Sequence, residues 1–194
     1  MLRLTTTTTM MTMTMTTMTT MRRRGSTLVG GTFDRLHAGH RLLLSAAVSR
    51  AQSPTVAPGR LVVGVTSDSM VSGKAYAELI EPYEERAACV AREVAGLAAV
   101  GGGVDLEVVP LDDPVGPAGV VEDMEALVVS EEPAVAAAVD GIRKIRAERG
   151  LGSEFDVVVV GLVPRDGGGG GEEKLSSSEL RAREAQLIAE KQMS

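Results

Sequence analysis

The stretch STLVGGTFDRLHAGH, residues 26–40, runs from an apolar segment through two glycines into a turn that carries both histidines of the chain, His37 and His40. A short run that is apolar on both faces is the pattern of a parallel strand covered by helices on either side. The leucine-rich segment that follows predicts a helix over 38–52, so the stretch reads strand, tight turn, helix. Four more valine-rich runs repeat the pattern, at 60–66, 104–109, 126–130 and 155–162, with helical stretches between and after them at 82–99, 131–149 and 176–191. In 82–99, Tyr83, Ala87, Val90, Val94 and Leu97 recur every three or four residues, with Glu84, Glu85, Arg92 and Glu93 outside that stripe. Pro82 suits the first turn of such a helix. Strict alternation of strand and helix implies right-handed crossovers and an α/β, doubly wound parallel sheet of about five strands. Ligands of such sheets sit beyond the carboxyl ends of the strands, where the strand order reverses.

Composition narrows the classes. Residues 1–24 hold a low-complexity threonine and methionine tract with four arginines and no acidic residue, and are expected to be a disordered tail outside the domain at 25–194. The tail has the charge of an organellar targeting segment, yet threonine repeats also arise with no role, and both readings stay open. Of 20 basic side chains, the four arginines of the tail leave 16 against 26 acidic ones, a net charge of −10. With four aromatic residues in all, such a domain lacks the cationic surface and stacking platforms that nucleic acid requires. The lone Cys89 excludes an internal disulfide and fits a reducing, cytoplasmic setting. No apolar run has the length of a membrane span. Glycine-rich loops are expected at 101–103 and 167–171. Oligomerisation leaves no signal, and a monomer is the expectation.

The turn at 31–40 has the makings of a phosphate site. Gly30 and Gly31 let the backbone approach a ligand, and the next helix offers unpaired N–H groups at its positive end. Neither a G-x-G-x-x-G fingerprint nor a P-loop is present. His37 and His40 lie three apart around Gly39, so both rings face one side of a helical turn and can donate to a polyphosphate. Near the carboxyl end, LSSSELR (175–181) places Ser176, Ser177 and Ser178 before a helix. Ser176 and Glu179 also form a capping box, so from these residues alone cap and anion site are both open.

The segment GGTFDRLHAGH, together with LSSSELR, resembles the signature of the H-x-G-H nucleotidyltransferase superfamily. The middle of the chain, with RLVVGVTSDSMVSGKAYAELIEPYEERAACV, VVPLDDPVGPAG and ALVVSEEPAVAAAVDGIRKIRAERGL, is similar to the phosphopantetheine adenylyltransferases of the eukaryotic and archaeal type, over about residues 26–190. The resemblance implies a Rossmann-like nucleotidyltransferase fold. It further implies transfer of adenylate from ATP to 4′-phosphopantetheine, in coenzyme A biosynthesis, with magnesium arriving on ATP.

By position, the resemblance makes His40 the residue that stabilises the transition state, aided by His37, and gives Lys74 the acceptor phosphate and the α-phosphate. It assigns Gly31, Thr32, Phe33, Gly39 and the serine box to ATP, and Thr32 also to the acceptor. Arg146, within the strip Arg143–Arg146–Arg149, is a candidate phosphate contact in an otherwise acidic domain, although such a strip is more often a solvated face. Both Lys74 and Arg146 are expected to be exposed without ligand. Where the bacterial branch carries an arginine-rich turn, this chain has Val-Ser-Glu-Glu (129–132), and Ser130 and Glu131 are expected near the adenosine. Arg143 stands where the type often has asparagine. The acceptor phosphate is already anionic, so no general base is needed. The rival readings are a cytidylyltransferase or nicotinamide-mononucleotide adenylyltransferase, and a nucleotide-binding regulatory protein without catalysis.

Overall fold

The computed structural model describes residues 25–52, 58–163 and 177–192. The expectations for residues 1–24, for the glycine run 167–171 and for Ser176 lie outside them. The described chain folds as β1 (Ser26–Gly31), α1 (Ala38–Ala51), β2 (Gly59–Thr66), a single turn α2 (Asp68–Val71), α3 (Tyr83–Ala98), β3 (Val104–Leu111), β4 (Met124–Ser130), α4 (Val135–Glu148), β5 (Asp156–Val160) and α5 (Ser177–Gln192). Short 3-10 turns stand at Ala77–Leu79 and Gly116–Gly119.

All five strands are parallel, in the order β3-β2-β1-β4-β5. Neighbouring residues of the central strands feed opposite faces. Val29, Val63 and Val128 join a core with Leu44, Val48, Val90 and Val94 of α1 and α3, whereas Leu28, Val62 and Leu127 join a second core with Val139 and Ile142 of α4. Burial on both faces is why these strands carry no polar alternation. Each fully buried leucine or valine adds about 1.5–3 kcal/mol over an exposed one. The chain winds outward from β1 through β2 to β3, then returns to the other side of β1 as β4. The order therefore reverses between β1 and β4, at the ends marked by Gly31 and Ser130. No described helix is long and apolar enough to cross a membrane.

Several boundaries differ from the sequence reading for local reasons. β3 continues to Leu111 through Pro110, which an edge strand tolerates because the missing N–H faces away from the ladder. β5 stops at Val160, short of residue 162, and the chain leaves the sheet at Gly161. α4 starts at Val135 instead of 131, because Glu131 N–H still pairs with the Val160 carbonyl as an extension of the sheet and Pro133 follows. The turn at 101–103 is confirmed, with Gly102 and Gly103 at φ +102° and +80°.

The apolar stripe of α3 contains one residue that periodicity had no means to admit. Arg86 is fully buried beside Val90, Val94 and Ala98. Its guanidinium donates to the carbonyls of Thr32, Thr66 and Glu81 and to the carboxylate of Asp68. It therefore ties the carboxyl ends of β1 and β2 together below the cleft.

Candidate active site

At the exit of β1 the backbone makes two unusual steps, Phe33 at φ +52° and Arg35 at φ +47°. Left-handed geometry at non-glycine residues is costly and clusters at functional turns. Here it sends the Phe33 ring down into the core, where it is 0% exposed, while the chain continues over the top of the sheet. A Cβ on Gly31 would lie 3.2 Å from that ring, so a glycine suits the close approach. His37 then caps α1, its Nδ1 accepting from the Gly39 N–H at 3.2 Å. An accepting Nδ1 leaves Nε2 as the donor of the neutral ring. A Cβ on Gly39 would press to 3.1 Å from His37 Cε1, which accounts for the small residue between the histidines.

His37 and His40 stack, with centroids 3.9 Å apart and planes 23° from parallel, and His40 also lies 5.4 Å from Phe33. Burial first, and then the neighbouring His37, push the His40 pKa down to about 4, with Asp34 opposing. Burial likewise lowers His37, again against Asp34. Both rings are therefore neutral near pH 7. The His40 Nδ1 is buried and has no hydrogen-bond partner among the described residues.

Lys74 reaches in from the loop after α2 and donates to Thr32 Oγ1 at 2.6 Å. Burial, Arg181 and Arg86 depress its pKa, while Asp34 and Glu132 oppose them. Opposite the histidines, α5 brings Ser177 and Ser178 with Arg181, which is 1% exposed. Asp34, itself 0% exposed, is the hub that seats this helix. Its carboxylate accepts from Arg181 Nη1 at 2.6 Å, from Arg35 at 2.9 Å and from Glu81 N–H at 3.2 Å, and its carbonyl accepts from Ser177 Oγ at 2.8 Å. Arg35 also pairs with Glu184 of α5, and Arg181 donates to the Ala75 carbonyl and to Ser178 Oγ.

These groups surround a cleft of about 500 Å³ at the switch point of the sheet. Gly31, Thr32, His37, Gly39, His40, Lys74, Ser130, Ser177 and Ser178, all candidates from the sequence, are brought together in its lining. The other wall is Glu132 with Gly161, Leu162 and Val163, where Glu131 had been expected. A second, mostly apolar lobe of about 350 Å³ opens on the α4 side and shares Gly30, Gly31, Thr32 and Lys74 with the first. Its walls include Met70, Leu111, Val115, Pro117, Leu127 and Ile142. Thr32 and Lys74 thus stand where a polar lobe and an apolar lobe meet.

Two expectations need correction. Phe33 packs beneath the cleft and does not line it. Arg146 is not exposed and not at the cleft: it is 0% exposed, with its guanidinium on the carbonyls of Ala118, Val121 and Gly152. The strip spacing is real, but Arg146 and Arg149 turn toward the β3–β4 loop, where Arg149 holds the Gly119 carbonyl, and Arg143 lies 5.3 Å over the ring of Phe155, just before β5. Asp34, Arg86 and Arg181 were missed. Arg181 stood inside LSSSELR, one turn past the serines, and a cation placed there was the available signal. Among the described residues no group of three or more His, Cys, Asp or Glu side chains could hold a metal ion.

Residues 28–183 match the family model described as cytidylyltransferase-like. The chain is 40% identical over 156 residues to the phosphopantetheine adenylyltransferase of Methanopyrus kandleri, covering 79% of this chain and 87% of that one. It is 39% identical over 155 residues to the phosphopantetheine adenylyltransferase of Saccharomyces cerevisiae, covering 80% of this chain but only 47% of that protein, so it spans about half of the yeast relative's length. Among solved structures it matches a protein of unknown function from Archaeoglobus fulgidus, with TM-score 0.52 and 30% identity, over 70% of this chain and 97% of that one. The H-x-G-H turn, the serine box and the doubly wound sheet fall within the matched range, and the chain belongs to the cytidylyltransferase-like family and, within it, to the phosphopantetheine adenylyltransferases.

Proposed function

We propose that this chain transfers the adenylyl group of ATP to the phosphate of 4′-phosphopantetheine, giving dephospho-coenzyme A and pyrophosphate. The observation that carries this reading is the two-lobed cleft joined at Thr32 and Lys74. A triphosphate suits the lobe with imidazoles, serines and Arg181. The uncharged pantetheine arm suits the apolar lobe, and the acceptor phosphate then reaches the junction where Lys74 meets Thr32.

In the reaction an acceptor phosphate oxygen attacks the α-phosphorus of ATP. The bond from that phosphorus to the α–β bridging oxygen breaks, and pyrophosphate leaves with the electron pair. The acceptor brings its own negative charge, so the protein's work is alignment and charge stabilisation. Lys74 offsets the repulsion between acceptor and α-phosphate. His40, with His37 stacked on it, donates toward the bridging oxygen as charge grows there, and Ser177, Ser178 and Arg181 hold the departing phosphates. Ser130 and the wall from Gly161 to Val163 face the nucleoside. Magnesium would come with ATP, held by phosphates and water, and would supply further charge neutralisation. In this reading the chain acts as a cytoplasmic monomer on small molecules, and residues 1–24 contribute nothing to the chemistry.

The test is pyrophosphate release by the purified protein, with ATP against CTP and with 4′-phosphopantetheine against nicotinamide mononucleotide and other phosphorylated acceptors. Release with ATP and phosphopantetheine alone supports the proposal. A preference for CTP or another acceptor, or no release at all, overturns it in favour of one of the rival readings.

A further inference from the structure

We infer that Arg146 is a positioning residue for the acceptor: it fixes the wall of the apolar lobe and so sets the affinity for the pantetheine arm. This rests on the functional reading above. One face of α4 carries Ala138, Ile142 and Arg146 at successive spacings of four. Ala138 and Ile142 line the apolar lobe, and Arg146, one turn further on, is buried beside it. Its guanidinium gives hydrogen bonds to four main-chain carbonyls: Ala118 at 2.7 Å, Val121 at 2.8 Å, Glu122 at 3.4 Å and Gly152 at 2.6 Å.

Three of those carbonyls belong to the loop between β3 and β4, whose other surface is the lobe itself. Val115, Pro117 and Ala118 contribute lining there. Apart from the 3-10 turn at Gly116–Gly119 the loop has no regular structure, so the carbonyls that face Arg146, buried at Ala118 and partly buried at Val121 and Glu122, have no ladder to pair with and take their donor from this side chain. A planar fork of five N–H groups meets that need from one point, which a lysine cannot do. Burying a cation is expensive, and a leucine would fill the volume at lower cost. A guanidinium at this position is therefore explained by the carbonyls it gathers. Ala118 links the two roles directly, with its carbonyl on Arg146 and its residue in the wall of the lobe. Two further devices fix the same loop: Asp113 accepts the N–H groups of Val115 and Gly116 at 2.8 and 2.7 Å, and Arg149 donates to the Gly119 carbonyl at 2.9 Å. None of these contacts touches the polar lobe.

The separation of the two lobes makes the inference testable by steady-state kinetics of the full chain. Arg146→Lys leaves at least one loop carbonyl unpaired, and should raise the KM for phosphopantetheine about tenfold. The KM for ATP and kcat at saturation should stay within about twofold. Arg149→Ala, at an exposed position, should raise the acceptor KM by about two- to threefold and decides the matter if the lysine variant does not fold. Val94→Ala, in the opposite core, serves as the control for lost stability and should leave the acceptor KM unchanged. An acceptor KM unaltered in the folded arginine variants, or an ATP KM that rises as much, overturns the inference while leaving the functional reading intact. A wild-type protein that does not use phosphopantetheine overturns both.

Discussion

Asp34→Asn is the substitution whose consequences the structure specifies most fully. The carboxylate is wholly buried and accepts hydrogen bonds from Arg181, Arg35 and the Glu81 N–H. Asparagine keeps the shape but loses the charge, and its amide N–H₂ would face guanidinium donors. Removing one partner of a buried ion pair costs about 3–5 kcal/mol, because the other charge is left uncompensated. Where that cost falls depends on α5. Arg181 is its only fully buried residue, and Leu187 and Ile188 on the same helix remain exposed. The helix is therefore seated by its polar clasp with Asp34 and Arg35, and the cheapest relief is for α5 to swing away and return Arg181 to water. If the whole domain bore the cost, the melting temperature would fall by about 6–20 °C, at about 2–4 °C per kcal/mol for a domain of this size. Undocking instead predicts a fall of less than about 5 °C, together with a loss of amide-exchange protection across 177–192 of about a hundredfold, the factor that ~3 kcal/mol corresponds to. Hydrogen exchange followed by mass spectrometry reads both. Protection of α5 that survives the substitution, whatever the melting temperature does, would refute the claim that Asp34 seats this helix.

Other outcomes follow from the same geometry. Lys74 is exposed along its stem, with its ammonium half-buried at the cleft where it donates to Thr32 Oγ1, so Lys74→Ala should leave the melting temperature nearly unchanged and lower kcat/KM about 10²-fold; an unchanged kcat/KM would return Lys74 to the role of a surface lysine. The His40 pKa, about 4 in the folded chain against an ordinary 6.5, means that the unfolded chain takes up protons first as pH falls. Ligand-free stability is then fully present above pH 6.5 and declines from there toward pH 4, and melting curves over that range should fall more steeply for the wild type than for His40→Gln. Equal slopes would count against a buried neutral imidazole. A chain beginning at Gly25 should match the full chain in kcat and melting temperature, and a loss of either would show that residues 1–24 contribute to the domain.

The centre of the sheet was legible because β1, β2 and β4 are largely buried on both faces and so read as apolar runs. The pairing of Leu28 with one core and Val29 with the other is the physical content of that pattern. The edge strand β3 instead alternates, with Asp105 and Glu107 exposed, and was legible from its valines and leucines alone. The cleft was legible in part, since glycine, histidine and serine at a strand end or helix start have few other uses in combination. The hidden residues are Asp34 and the buried arginines. Arg86, Arg146 and Arg181 are all fully buried, and nothing in a linear charge pattern distinguishes a guanidinium that gathers carbonyls from one that faces water. Arg146 shows the difficulty best: its spacing with Arg143 and Arg149 is that of a solvated strip, and only the loop folded over it gives the strip another meaning. Phe33 illustrates a second limit, because a left-handed turn inverts the direction of a side chain that sequence position alone would aim at the ligand.

In the proposed reaction the stacked imidazoles act on the transition state and not on bound ATP. An interaction that strengthens as charge develops at the bridging oxygen lowers the barrier without tightening the ground state. The measurement is the steady-state rate of pyrophosphate release by the wild type and by His40→Ala, at varied ATP and saturating phosphopantetheine, with both proteins shown to melt at similar temperatures. Loss of one such donor should lower kcat by about 10²–10³-fold, with the KM for ATP changed by less than about threefold. An intact kcat with a raised KM for ATP would make His40 a ground-state binding residue and rule out its role at the bridging oxygen.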